Sequence, residues 1–170
     1  GKSFLLEYAR RLAQEQGLWS AMASCYPSEQ DTPFQPWYSL LMQASAVSGC
    51  SLAQLCPSLV RSSDPGHPTP PALLPVVQEE ILMALSRTAQ KRPLLLIFED
   101  IHWMDSSSLS ILHQALRRLR NERILILCSS SNLLPQRMQT FLYEGKQDGL
   151  LESLTIRSFS LEETRAVSYT

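Results

Sequence analysis

The sequence predicts an α/β domain of three layers, with helices on both faces of a mostly parallel sheet. Three observations carry that expectation. Short apolar runs of strand length alternate with longer segments of helical period, which implies strands joined by helical crossovers. The run Leu94-Leu95-Leu96-Ile97-Phe98 is continuously apolar, as a parallel strand buried on both faces reads. Gly and Pro punctuate the joins, with Gly17 after the first helical segment and Pro93 before the central strand.

Residues 4 to 16 have the 3.6-residue period of an amphipathic helix, with Phe4, Leu5, Tyr8 and Leu12 on one stripe and Glu7, Arg10, Arg11 and Gln14 off it. Leu18 to Cys25 fits a strand. After the polar loop Ser28 to Thr32, Pro36 suits the first turn of a helix carrying Trp37, Leu40, Leu41 and Ala44. A short helical piece around Ser51 to Cys56 is expected to end at Pro57. Proline crowds the stretch from Arg61 to Pro75, which reads as an exposed loop inside the domain. A helix follows over Leu74 to Gln90, then the central strand.

Ser106 to Arg120 is expected to be a helix. Ser106 or Ser107 can cap it, Leu109, Leu112, Leu116 and Leu119 form its buried stripe, and arginines 117, 118 and 120 sit where the dipole favours cations. Ile124 to Cys128 reads as the next buried strand and Leu150 to Ile156 as a further one. Ser160 followed by Glu163 resembles a capping box opening a last helix.

The chain has 170 residues, of which 44% are hydrophobic and 18% charged, so it is globular in composition rather than disordered. Its length suits one domain. Fifteen basic residues against 16 acidic leave a net charge of −1, so no positive excess steers it onto nucleic acid or anionic lipid. No apolar run approaches the roughly 20 residues needed to span a bilayer. Cys25, Cys50, Cys56 and Cys128 contain no CxxC pair and have no His at zinc-ligand spacing, so they read as free thiols, with Cys128 a small core residue. Gly1 is neither a natural start nor part of a signal peptide, and the expectation is a cytoplasmic piece of a longer protein.

Two short features carry the chemistry. Gly1-Lys2-Ser3 opens a helix, as do the last three residues of the phosphate-binding loop GxxxxGK[ST]. There the lysine meets the β- and γ-phosphates, the hydroxyl ligates Mg²⁺, and the helix N-terminus offers unpaired N–H groups to the anion. About 95 residues later the central strand ends in Glu99-Asp100. Ligands bind by default at the carboxyl ends of parallel strands. A first carboxylate there can hold a metal shell, and a second can orient or deprotonate an attacking water.

The stretch from Leu95 to Leu109, reading LLIFEDIHWMDSSSL after Leu94, resembles the Walker B segment of the AAA-type P-loop ATPase module in STAND-class signalling proteins. Such modules occur in LuxR-type regulators and beside nucleotidyl cyclase or protein kinase domains. Thr32-Pro33-Phe34-Gln35-Pro36-Trp37 resembles that family's loop after its second strand. Leu154-Thr155-Ile156 leading to Phe159 through Thr164 resembles its fifth strand and the next helix cap.

The resemblance implies ATP and Mg²⁺ as cofactors. Gly1 and Lys2 would bind phosphate, Ser3 and Glu99 the metal, and Asp100 would activate water beside Glu99. Glu99 stands where the family usually has aspartate. Asp105 and Trp103 match a motif that shapes the turn after the strand, and Trp103 reads equally well as an apolar plug; His102 reads as a loop histidine without a role. The fourth strand of the family often runs into Thr-Tyr-Arg, whereas here Cys128-Ser129-Ser130-Ser131-Asn132 follows. Ser129 or Asn132 could still meet a phosphate, but the missing arginine implies slow hydrolysis or dependence on a partner, since such an arginine is worth about 10³-fold or more.

The implied strand order is 5-1-4-3-2, with the first strand and the loop glycines upstream of residue 1. Residues 1–160 would be the ATPase core, starting within the Walker A motif, and 161–170 the following helix or linker. The fragment alone is then expected to bind ATP poorly and to aggregate. The function implied is an ATP-driven signalling switch acting on downstream domains of the same chain, with self-association left open and no direct contact with nucleic acid or membrane. The alternative is a nucleotide-binding or protein-interaction scaffold whose catalysis has decayed. A small-molecule kinase would need several lid arginines after the fourth strand, where Ser131 to Gln139 offers only Arg137.

Overall fold

Pro36 and Pro75 sit in the first turns of two long helices, where a missing amide hydrogen costs nothing, and Gly49 ends the first of these in a left-handed conformation. The computed structural model describes residues 1–62 and 70–156, without the side chains of Val47 and Ser48. The elements run α1 (Lys2–Glu15), β1 (Trp19–Ser24), α2 (Gln35–Ser48), α3 (Leu52–Leu55), α4 (Pro57–Ser62), α5 (Leu74–Lys91), β2 (Leu94–Glu99), α6 (Ser106–Arg118), β3 (Ile124–Cys128) and α7 (Gln136–Gln147). Single 3-10 turns cover Pro27–Glu29, Pro71–Leu73 and Ile101–Trp103. Pro57 both ends α3 and opens α4, so the helical stretch continues beyond the expected stop.

The described strands form one parallel sheet in the order β1-β2-β3, which agrees with the 2-3-4 portion of the implied order. Register aligns Ser24 with Glu99 and Phe98 with Cys128, so the three carboxyl ends meet at one edge of the layer. Leu94 to Phe98 are at most 1% exposed, as a central strand demands. Leu95 and Ile97 pack under Leu6 and Ala13 of α1. On the opposite face Leu96 and Phe98 join Ala21 and Ala23, with Trp37 and Leu40 of α2, Ile81 of α5 and Leu112 of α6. Helices therefore cover both faces, as expected.

The outer edge of β1 is closed by a side chain. The Gln43 amide on α2 accepts from the Met22 N–H (3.2 Å) and donates to the Met22 carbonyl (2.7 Å), replacing the ladder a further strand would supply. In α7, Gly145 lets Leu151 pack against the helix; a Cβ there would lie 2.3 Å from the Leu151 Cδ2.

Several sequence-based expectations need correction. The stripe Phe4, Leu5, Tyr8 and Leu12 faces solvent, Phe4 being 72% exposed, because α1 turns Leu6 and Ala13 onto β2 instead. Period alone cannot choose between two apolar stripes of one helix. β3 is an edge strand among the described residues: Leu125 is 53% exposed and Cys128 is exposed rather than in the core. Residues 150–156 form no strand and Leu154 is exposed, since no described strand lies alongside to complete a ladder. The expected capping box at Ser160 and the resemblance over Phe159–Thr164 lie outside the described residues, as does most of the proline-rich loop.

The cap of α6 is Asp105, one residue before the serines expected to fill that place. Its Oδ1 accepts from the Ser108 N–H at 2.8 Å. Burial raises the Asp105 pKa above its ordinary 3.8, opposed by the hydrogen bonds from Ser108. A raised carboxyl pKa means that the folded chain binds protons more readily than the unfolded one, so this residue's contribution falls as pH rises past 3.8. Asp105→Ala is expected to cost about 1–2 kcal/mol in urea unfolding. Asp105→Asn should keep the cap and flatten the fall of stability with pH above that value, and equal losses in the two variants would contradict the capping role.

Candidate functional site at the carboxyl ends of the strands

α1 starts at Lys2 with Gly1 as its N-cap, no capping side chain and no acidic residue in its first turn. Its first helical bond runs from the Leu5 N–H to the Gly1 carbonyl (3.2 Å), so the amides of Lys2, Ser3 and Phe4 lack helical acceptors. Bare amides and an uncompensated positive dipole end suit an anion.

α1 brings Ser3 against the end of β2, where the Ser3 hydroxyl donates to Glu99 Oε1. Ser24, closing β1, donates to Glu99 Oε2 at 3.2 Å. Glu99 is thus held between two hydroxyls from the strand and helix on either side. The Lys2 ammonium donates to the Ser130 carbonyl at 2.6 Å, just past the end of β3. Lys2 and the acidic doublet, far apart in sequence, therefore lie on the same rim of the sheet.

Asp100 follows in a left-handed conformation (φ 56°, ψ 47°), which aspartate tolerates better than most residues. Its backbone N–H donates to Ser129 Oγ (3.1 Å), and the Ile101 N–H donates to the Ser129 carbonyl (2.9 Å). Among the described residues its carboxylate has no hydrogen-bond partner. Ser129 is buried and its oxygen accepts from Asp100, so it serves the turn that carries the acid; Asn132 is exposed on the loop beyond.

Trp37, in the segment after β1, is fully buried. Its indole N–H donates to the Ser108 carbonyl (3.0 Å) and its ring meets Phe98 edge-on at 4.8 Å. This contact ties α2, β2 and α6 together beneath the site. Trp103 packs against the same core, which favours its reading as an apolar plug. Nearby Cys25 is a free thiol pushed by burial up to about 12, so it stays protonated and takes no part as a nucleophile at neutral pH.

Sequence reasoning missed the contacts of two residues here. Ser24 ends a predicted strand, but its pairing with Glu99 depends on register, which a single sequence does not reveal. His102, read as a loop histidine without a role, is 8% exposed and its Nδ1 accepts from the Ser131 N–H (3.3 Å).

A parallel sheet with a Lys-Ser helix start and an acidic doublet on one rim defines an α/β domain of the P-loop NTPase class. The chain belongs to the AAA ATPase domain family, which matches residues 1–127. Membership implies a nucleotide ligand. The match takes in Lys2, Ser3, Glu99, Asp100 and His102 and stops just before the Ser129–Asn132 loop. No curated protein and no solved structure matches the chain. Among the described residues no helix is long and apolar enough to cross a membrane.

Proposed function

We propose that this domain is an ATP-binding, Mg²⁺-dependent and slowly hydrolysing switch of a larger STAND-class signalling protein. The observation that carries the reading is the contact of Ser3 with Glu99 while Lys2 reaches Ser130 on the same rim. Lys2 and the bare amides of α1, with Gly1 at its cap, would hold the phosphates. Ser3 and Glu99 would hold the metal.

The residues present fit that ion. No group of three or more His, Cys, Asp or Glu that could hold a metal occurs among the described residues. One hydroxyl and one carboxylate are what Mg²⁺ uses when substrate phosphates and water supply its other ligands. When bound, the ion neutralises charge on the phosphates. The chain itself then has three tasks. Ser24 fixes the Glu99 carboxylate. Ser129 fixes the Asp100 turn. The Asp100 carboxylate, which has no hydrogen-bond partner among the described residues, would orient a water and accept its proton.

A second reading, a nucleotide-binding scaffold without turnover, draws support from the loop after β3, which has no arginine and whose Ser129 oxygen is engaged by the Asp100 N–H. Phosphate release by the purified full-length protein, with Mg²⁺ and with a chelator, tests the proposal. Slow release that stops on chelation is expected. Failure to retain any nucleotide would overturn both readings.

A further inference from the structure

The loop after β3 is fastened to the turn after β2 by bonds running both ways. Asp100 and Ile101 donate to Ser129 at 3.1 and 2.9 Å, and Ser131 donates back to His102 Nδ1 at 3.3 Å. Between these anchors lies Ser130, whose carbonyl receives the Lys2 ammonium. The His102 ring is fixed in turn, nearly buried and tilted against Trp103 with centroids 4.8 Å apart. In this contact the amide of Ser131 donates to the lone pair of the Nδ1 atom.

We propose that His102 is a positioning residue for the nucleotide site, acting through Ser131 to hold the loop that receives Lys2 in register with the Asp100 turn. The role rests on the ATPase reading given above. Without this acceptor the loop is tied to the β2 end only through Ser129, and once Lys2 turns to the phosphates Ser130 can swing relative to Asp100. His102 touches neither nucleotide nor reacting atoms in this scheme; its effect is on the loop.

The test compares His102→Asn, whose side-chain oxygen can replace Nδ1 as acceptor, with His102→Phe, which keeps a ring but accepts nothing. In the full-length protein, His102→Phe should lower kcat by about five- to tenfold, the weight of one hydrogen bond, while the Kd for ADP stays unchanged. His102→Asn should restore kcat to within about twofold of wild type, on the same scale. Amide hydrogen exchange at Ser131 is read in parallel and should speed up in the Phe variant alone. If the wild type releases no phosphate, the ATPase reading fails, yet the exchange measurement still decides the positioning role. Equal Ser131 exchange in wild type and His102→Phe would overturn it, as would an Asn variant as impaired as the Phe variant.

Discussion

Asp100→Asn is expected to leave ATP affinity within about threefold of wild type while phosphate release falls by about 10²- to 10⁴-fold, the usual contribution of a positioned general base. The substitution is nearly isosteric. Asparagine tolerates the left-handed backbone found at this position, and the bond to Ser129 is made by the main-chain amide, so the turn should persist. What disappears is the capacity of the carboxylate to take a proton. Affinity by titration with a fluorescent nucleotide, set beside phosphate release, separates the two effects. Turnover within about twofold of wild type would remove Asp100 from the chemistry.

Lys2→Ala should weaken ATP binding by roughly 10- to 150-fold, the equivalent of about 1.5–3 kcal/mol for a hydrogen bond to a charged group. AMP, which lacks the β- and γ-phosphates, should lose little. The side chain is exposed and its present partner is a single carbonyl, so stability should change by no more than about 0.5 kcal/mol. Lys2→Arg is not expected to restore full affinity, because a planar fork does not replace a compact ammonium at a site built for one. An ATP affinity unchanged in Lys2→Ala, measured by calorimetry, would contradict the phosphate-binding role.

Much of this fold was legible because its strongest signals are local. Leu94 to Phe98 reads as a strand buried on both faces, and α5 and α6 announce themselves by period and by the stops around them. The Lys2–Ser3 and Glu99–Asp100 pairs were readable as candidate site residues because each closes or opens an element where parallel sheets place their ligands. What stayed hidden depends on tertiary context. α1 has two apolar stripes, and only the sheet chooses Leu6 and Ala13 over Phe4 and Tyr8. Residues 150–156 have strand composition, but a strand exists only beside a partner. Ser24 and His102 acquire their roles from register and from a loop 29 residues further on, neither of which leaves a mark in the local sequence.

The Asp105 cap teaches the same lesson on a smaller scale. Any of Asp105, Ser106 and Ser107 can cap a helix, and the choice falls to the residue whose backbone is extended just before the first turn. The sharp 3-10 turn at Ile101–Trp103 sets that point, and it is itself fixed by the Asp100 and Ile101 bonds to Ser129. The architecture of the site and the start of α6 are therefore one structure.

The central claim is that Lys2 and the Glu99–Asp100 doublet serve one triphosphate. A crystal structure of the full-length protein with a non-hydrolysable ATP analogue and Mg²⁺ tests it most directly. The account predicts that the Lys2 ammonium leaves the Ser130 carbonyl for the phosphates, with the ion between them and the Ser3–Glu99 pair. A triphosphate bound elsewhere, with Lys2 still on Ser130 and Ser3 still on Glu99, would contradict it.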